Sequence, residues 1–213
     1  MDVIEKYYSE KSLKRFSDDQ MEKIKRLEVL YKEWNNKINV ISRKDIDQIY
    51  LHHVIHSLSI SEFTTFSKGT KILDLGTGGG FPGIPLAIRF PDSYFHLIDG
   101  TKKKIKVVNE IANELGLDNV LATQVRAEEL KGKYDFVVSR AVASLQKLVN
   151  WSGPLISREG VNPIPNGLLA LKGGDLKQEI AELAQGTYCE VTPITKYFNE
   201  EYFSEKKLIY VQL

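Results

Sequence analysis

KILDLGTGGGFPGIPL, residues 71–86, decides the fold. The apolar run Ile72–Leu75 leads directly into Gly76, Gly78, Gly79 and Gly80, and a helix-like segment follows from Gly83. A strand, a glycine turn and a helix in that order bring backbone against a nucleotide-like ligand at the carboxyl edge of a parallel sheet. Glycine suits the turn because a Cβ would block close approach and because positive φ carries no penalty there.

Working outward, the same texture repeats downstream. Short apolar runs at Lys71–Leu75, Tyr94–Asp99, Val120–Val125, Tyr134–Ser139 and Leu168–Lys172 read as buried strands, with helices at 83–90, 101–115 and 143–150 between them. That alternation predicts β-α-β units and a parallel sheet. Tyr188–Ile194 and Lys207–Leu213 read as a closing antiparallel pair, so the expected fold is α/β with a seven-stranded, mostly parallel sheet. Residues 152–167, SGPLISREGVNPIPNG, form a long connection that reads equally as a surface loop or as a lid or binding loop.

Upstream the pattern is helical. Met21, Ile24, Leu27, Leu30, Tyr31 and Trp34 share one stripe, with Ser17 or Asp18 as a cap and Asn35-Asn36 as stop residues. Tyr31 and Trp34 are therefore expected in the core. A second helix starts near Asp45 and carries Ile46, Ile49, Tyr50, Val54 and Leu58. No Gly or Pro precedes Gly69. The expected division is a helical extension over residues 1–66 and an α/β domain over 67–213.

Composition narrows the function. With 42% hydrophobic and 27% charged residues, the chain is neither disordered nor fibrous. Twenty-nine Lys+Arg against 28 Asp+Glu leave a formal charge of +1, too little to hold nucleic acid by bulk charge alone. An RNA partner would have to meet a local patch or present a folded target. The lone cysteine, Cys189, reads as a strand residue. The N-terminus alternates charges without an apolar segment, and no run is long enough to span a bilayer, so a cytoplasmic protein is expected.

Two cofactors compete for the glycine turn. Gly78-x-Gly80-x-x-Gly83 matches the dinucleotide pattern, but it lies two residues beyond the first glycine, Gly76. Its last spacer, Pro82, has no amide hydrogen for a pyrophosphate. S-adenosylmethionine carries no pyrophosphate and has cationic ends that favour an acidic neighbour, for which Asp74 is placed. Asp99, ending the next strand, suits a ribose diol in either case.

Five segments carry a family resemblance: DLGTGGGFPGIPL, SRAVASL at 139–145, LALKGG at 169–174, WNNKINVIS at 34–42 and VRAEEL at 125–130. In order and spacing they closely resemble the bacterial ribosomal small subunit methyltransferase G family, also called glucose-inhibited division protein B. The resemblance implies a class I S-adenosylmethionine-dependent methyltransferase, Rossmann-like behind a helical extension, acting as a 16S rRNA (guanine-N7)-methyltransferase. It implies that Gly76 and Phe81 line the cofactor pocket, that Ala127 and Glu128 meet the adenine, and that Arg140 closes the pocket beside the substrate. Where relatives often show R-H-x-x-D-S, this chain keeps His53 and Ser57 but has His52 and His56 in place of Arg and Asp.

Guanine N7 has a lone pair and no proton, so its methylation needs alignment and no general base. The absence of an evident acid–base pair suits that reaction. Arg126, Arg140 and Lys172 stand at strand carboxyl ends and are the expected RNA contacts, with Lys102 and Lys103 as weaker candidates. His52 and His56 are one turn apart with no third ligand, so packing is expected there and no metal site. The expected partner is 16S rRNA in the small subunit or an assembly intermediate, met by a monomer. The rivals are a nicotinamide-dependent oxidoreductase and an RNA-binding assembly protein with a vestigial pocket.

Overall fold

A computed structural model describes residues 16–213; the charge-alternating N-terminal segment read against export lies mostly in residues 1–15, outside the described residues. Helix α1, Asp18–Lys37, opens with a reciprocal cap. The Ser17 hydroxyl accepts the Gln20 N–H at 3.2 Å, and the Gln20 side-chain oxygen accepts the Ser17 N–H at 2.9 Å. Met21, Ile24, Leu27, Leu30 and Tyr31 are buried along one face, as their spacing requires. Asn35 does not stop the helix. Its side chain instead receives the Val40 and Ile41 N–H groups at 2.8 and 2.9 Å and so shapes the following turn.

The expected second helix is one run in three hydrogen-bond spacings: a 3-10 turn at Ile46–Gln48, a π-helical stretch at Tyr50–Ile55, and α2 at His56–Phe63. The wide π turns, a feature frequent at functional sites, carry His52 and His53.

The sheet has seven strands: β1 Lys71–Leu75, β2 Tyr94–Asp99, β3 Val120–Gln124, β4 Phe136–Arg140, β5 Gly167–Gly173, β6 Cys189–Pro193 and β7 Lys206–Gln212. Their order is β3-β2-β1-β4-β5-β7-β6, and only the β7 pairings are antiparallel. The fourth strand starts two residues later than expected because Tyr134 bridges to Ile156 outside the sheet.

Helices α3, Gly83–Arg89, and α4, Lys102–Glu114, cover one face, together with α1 and α2. Helix α5, Leu145–Ser152, covers the other, beside a five-residue α6, Lys177–Ala181, that the sequence pattern did not reveal. Successive strand residues feed opposite layers: Ile72 joins the first core and Leu73 the second. The N-terminal helices share their core with β1, β2 and β4.

The 152–167 connection does not lie over the glycine turn. Because β5 runs parallel to β4, the chain must return to the amino edge of the sheet before β5 can begin. There the Asn162 side-chain oxygen accepts from Ser67 N and Thr70 Oγ1, just ahead of β1. The Asn166 amide ties the loop to itself and to Asp135. The lid reading is overturned by that placement.

Candidate active site

Strand β1 is flanked by β2 on one side and β4 on the other, so the chain reverses its direction of travel across the sheet between β1 and β4. A ligand cleft opens outside the carboxyl ends at such a point. The Ser139 hydroxyl donates to the Leu75 carbonyl at 2.9 Å and stitches the two strand ends together.

The glycine turn is held from beneath. Asp74 is fully buried; its Oδ2 accepts the Thr77 hydroxyl at 2.6 Å and the Gly83 N–H at 2.8 Å, while Oδ1 has no partner. Burial pushes its pKa up to about 7, against the pull of those two bonds. A Cβ on Gly83 would lie 2.7 Å from that carboxylate and from Leu97, which fixes the residue type there. Asp74 therefore organises the turn and does not line a cavity. Asp99 grips the turn from β2: Oδ2 accepts Gly78 N at 3.1 Å and Oδ1 accepts Thr101 N at 2.8 Å. From above, the Tyr31 hydroxyl of α1 donates to the Gly79 carbonyl at 2.5 Å.

Phe81 also supports the site and lines neither cavity. It is 3% exposed, with its ring 4.8 Å from Tyr31 and 5.0 Å from His53, under the Arg140 guanidinium at 5.2 Å.

Two cavities flank the switch between β1 and β4. The smaller, about 350 Å³, is lined by Gly76, Ile98, Asp99, Arg126, Ala127, Glu128 and Val142, among others. Gly76 and the Ala127-Glu128 pair are thus brought to one place with Asp99, as the resemblance implied. Apolar walls for a flat base, a carboxylate beside a diol and net acidity toward a cationic ligand fit S-adenosylmethionine. The larger, about 650 Å³, is lined by Asp45, His53, His56, Arg140, Lys172 and Tyr202, among others.

Arg140 is one of three cations lining the larger cavity, with Lys172 and Lys206. Its Nη1 donates to the His52 carbonyl at 3.1 Å and its Nη2 lies 2.8 Å from His53 Nδ1. A guanidinium only donates, so His53 Nδ1 accepts and the neutral ring carries its hydrogen on Nε2. Burial first, and then the Arg140 charge, lower the His53 pKa to about 3; His56 is held well below its ordinary value by the same two causes. His53 Nε2 and His56 Nε2 are buried without partners. His52 Nδ1–H donates to the Asp45 carboxylate at 2.9 Å, and its ring stacks on Tyr202 at 4.0 Å.

Lys172 is already engaged. Its Nζ lies 2.6 Å from Glu179 and donates to the Ala143 carbonyl at 2.8 Å, while the same Glu179 oxygen accepts the Leu145 N–H at 2.6 Å. Lys102 and Lys103 are exposed at the start of α4, and Arg126 is exposed at the rim of the smaller cavity. Sequence reasoning missed Tyr202, which arrives from a turn between β6 and β7, 150 residues from its hydrogen-bond partner His52. No local pattern signals so distant a meeting. Glu179 and Val142 were missed as well; the SRAV segment at 139–142 held the only hint.

Solved structures with this architecture include a precorrin-6y C5,15-methyltransferase from Geobacter metallireducens, with TM-score 0.55, 11% identity and coverage of 82% of this chain and 90% of that one. A SAM-dependent methyltransferase from Aquifex aeolicus gives TM-score 0.55 at 16% identity over 76% and 92% of the two chains. At such identities the likeness concerns the fold. Among sequences, the ribosomal RNA small subunit methyltransferase G of Christiangramia forsetii is 49% identical over all of this chain and 97% of its own length. That of Bacteroides thetaiotaomicron is 47% identical over the whole of both. The family model described as rRNA small subunit methyltransferase G matches residues 20–202. With a family match over most of its length and full-length relatives near half identity, the chain belongs to the rRNA small subunit methyltransferase G family.

Proposed function

We propose that this chain transfers the methyl group of S-adenosylmethionine to guanine N7 of 16S rRNA, acting as a monomer on the small subunit or an assembly intermediate. The carrying observation is the pair of cavities meeting where the chain reverses between β1 and β4, one fitted to S-adenosylmethionine and the other holding Arg140 where a base would enter. Of the imidazoles that line the larger cavity, His53 and His56 are poor proton acceptors, their pKa lowered by burial and by Arg140, and the His53 lone pair is bonded to that guanidinium, while His52 donates to Asp45. The cavity's carboxylates are committed: Asp45 to Ser42 and His52, Glu179 to Lys172 and Leu145 N. Guanine N7 carries a lone pair and no proton, so its methylation asks these groups for alignment and for no base.

S-adenosylmethionine, when bound, supplies an electrophilic methyl on a sulfonium. Asp99, Ala127 and Glu128 hold the nucleoside part against Ile98 and Val142 in the smaller cavity. Arg140 has five N–H groups and uses two on His52 and His53, so others remain for guanine O6 or a flanking phosphate. Lys102, Lys103 and Arg126, exposed on the same edge, are the phosphate-facing cations. A formal charge of +1 favours a folded target over naked RNA. Among the described residues no helix is long and apolar enough to cross a membrane.

Mass mapping of 16S rRNA fragments from cells lacking the protein, with and without the restored gene, tests the reading. One methylguanine should vanish and return, and Arg140→Met should fail to restore it. An unchanged 16S map, or a methyl lost from another RNA, would refute it.

A further inference from the structure

We propose that Val142 is a movable partition between the cofactor and base cavities and a positioning residue for methyl transfer. Among the described residues it alone lines both cavities. Its side chain covers Gly76: a Cβ placed on that glycine would lie 2.5 Å from Val142 Cγ2 and 2.9 Å from Cγ1. The side of Gly76 on which a Cβ would project is therefore occupied by this isopropyl group, at the wall of the smaller cavity that both residues line.

The segment around it is built for one local movement. At its start, Arg140 is fixed by His52 and His53. At its end, Lys172 holds the Ala143 carbonyl and Glu179 holds the Leu145 N–H, and these two side chains are themselves an ion pair. Between the pinned ends, Ala141 has φ 54°, a left-handed conformation that a non-glycine residue adopts with strain. Val142 follows it, 39% exposed. A strained residue next to an unpinned side chain, between two fixed anchors, gives a strap with two local settings.

The inference rests on the proposed function, since reacting atoms held in the two cavities must meet at this side chain. Cofactor entry lifts Val142 off Gly76. The displaced side chain then packs against the entering base and sets its distance from the methyl. Cofactor therefore binds before RNA, and the residue opposes cofactor binding while it promotes transfer.

The test uses the full chain with Val142→Ala and Val142→Ile, each checked by thermal melting. S-adenosylhomocysteine affinity is measured by calorimetry, and single-turnover transfer to small subunits is measured with both substrates saturating. Val142→Ala should bind S-adenosylhomocysteine several-fold more tightly yet transfer about tenfold more slowly, a loss in the range that sub-ångström misplacement brings. Val142→Ile should bind it several-fold more weakly and keep the rate within about twofold. A residue of merely structural importance would lower both quantities together. Weaker binding by Val142→Ala, or binding and rate both unchanged, would overturn the partition. Failure of the unaltered chain to bind S-adenosylhomocysteine would be a different result, overturning the functional reading and this inference with it.

Discussion

Tyr31→Phe removes one oxygen atom and asks how firmly the N-terminal helix controls the glycine turn. Tyr31 is fully buried and its hydroxyl donates to the Gly79 carbonyl at 2.5 Å. Phenylalanine keeps the ring and its contact with Phe81 at 4.8 Å, so no large cavity opens. What is lost is the donor to a carbonyl in a buried glycine, and a buried acceptor left unpaired costs about 1–3 kcal/mol. Urea unfolding of the two proteins should show a loss within that range at an unchanged m-value, because the exposed area hardly differs. The turn also loses its upper anchor, so S-adenosylhomocysteine should bind about three- to tenfold more weakly by calorimetry, up to ~1.4 kcal/mol. A stability change under about 0.5 kcal/mol with unchanged affinity would refute the claim that this bond fixes the turn.

Four further outcomes are expected. Gly76→Ala must place a Cβ at φ +72° and against Val142; the conformation alone costs roughly 1–2 kcal/mol, and the loss should shrink in a Val142→Ala background, as a double-mutant cycle would record. Arg140→Met should lower single-turnover transfer by at least about 100-fold while changing S-adenosylhomocysteine affinity by less than about threefold, a split readable from parallel kinetics and calorimetry. His53, with a folded pKa near 3 against an ordinary 6.5, makes a stability contribution present above pH 6.5 and lost as pH falls toward 3, since the unfolded chain takes up the proton first. Asp74, raised to about 7, acts with the opposite sign between its ordinary 3.8 and 7, but it is common to both proteins, so urea midpoints at pH 7.5 and pH 5 should fall less in His53→Gln than in the unaltered chain. Lys103→Ala should weaken RNA binding with a salt slope shallower by about one, leaving saturated transfer unchanged.

The strand pattern was legible because the central parallel strands are buried on both faces and read as unbroken apolar runs, as Leu168–Lys172 does, whereas β3 at the sheet edge buries only Ala122. In the closing pair β7 shows for the same reason, whereas β6 is an edge strand that buries only Thr192. Helix α6 did not show, because five residues rich in charge give no full apolar stripe. The π-helical turns at Tyr50–Ile55 were equally invisible, since their apolar spacing fits an ordinary helix. At the site, Asp99, Gly76, Ala127 and Glu128 were found where the family pattern and the strand ends implied. Asp74 was expected as an acidic neighbour of the cofactor and Phe81 as a pocket wall, yet neither lines either cavity. Their side chains point under the turn, and spacing alone carries no such direction. Lys172 looked like a free strand-end cation because Glu179, its partner, lies on the helix that the pattern missed.

The amino edge of the sheet offers a practical handle. Its closing loop exposes Val161 at 77% of its surface, and a five-residue strand such as β1 sets the cleft ~16 Å away. The chain has a single native thiol, Cys189, half-buried and with its pKa raised by burial, so a Val161→Cys thiol would react first with a maleimide. A dye or surface tether placed there would leave both cavities facing outward, and ribosomal particles could dock on the immobilised protein without crossing the attachment point.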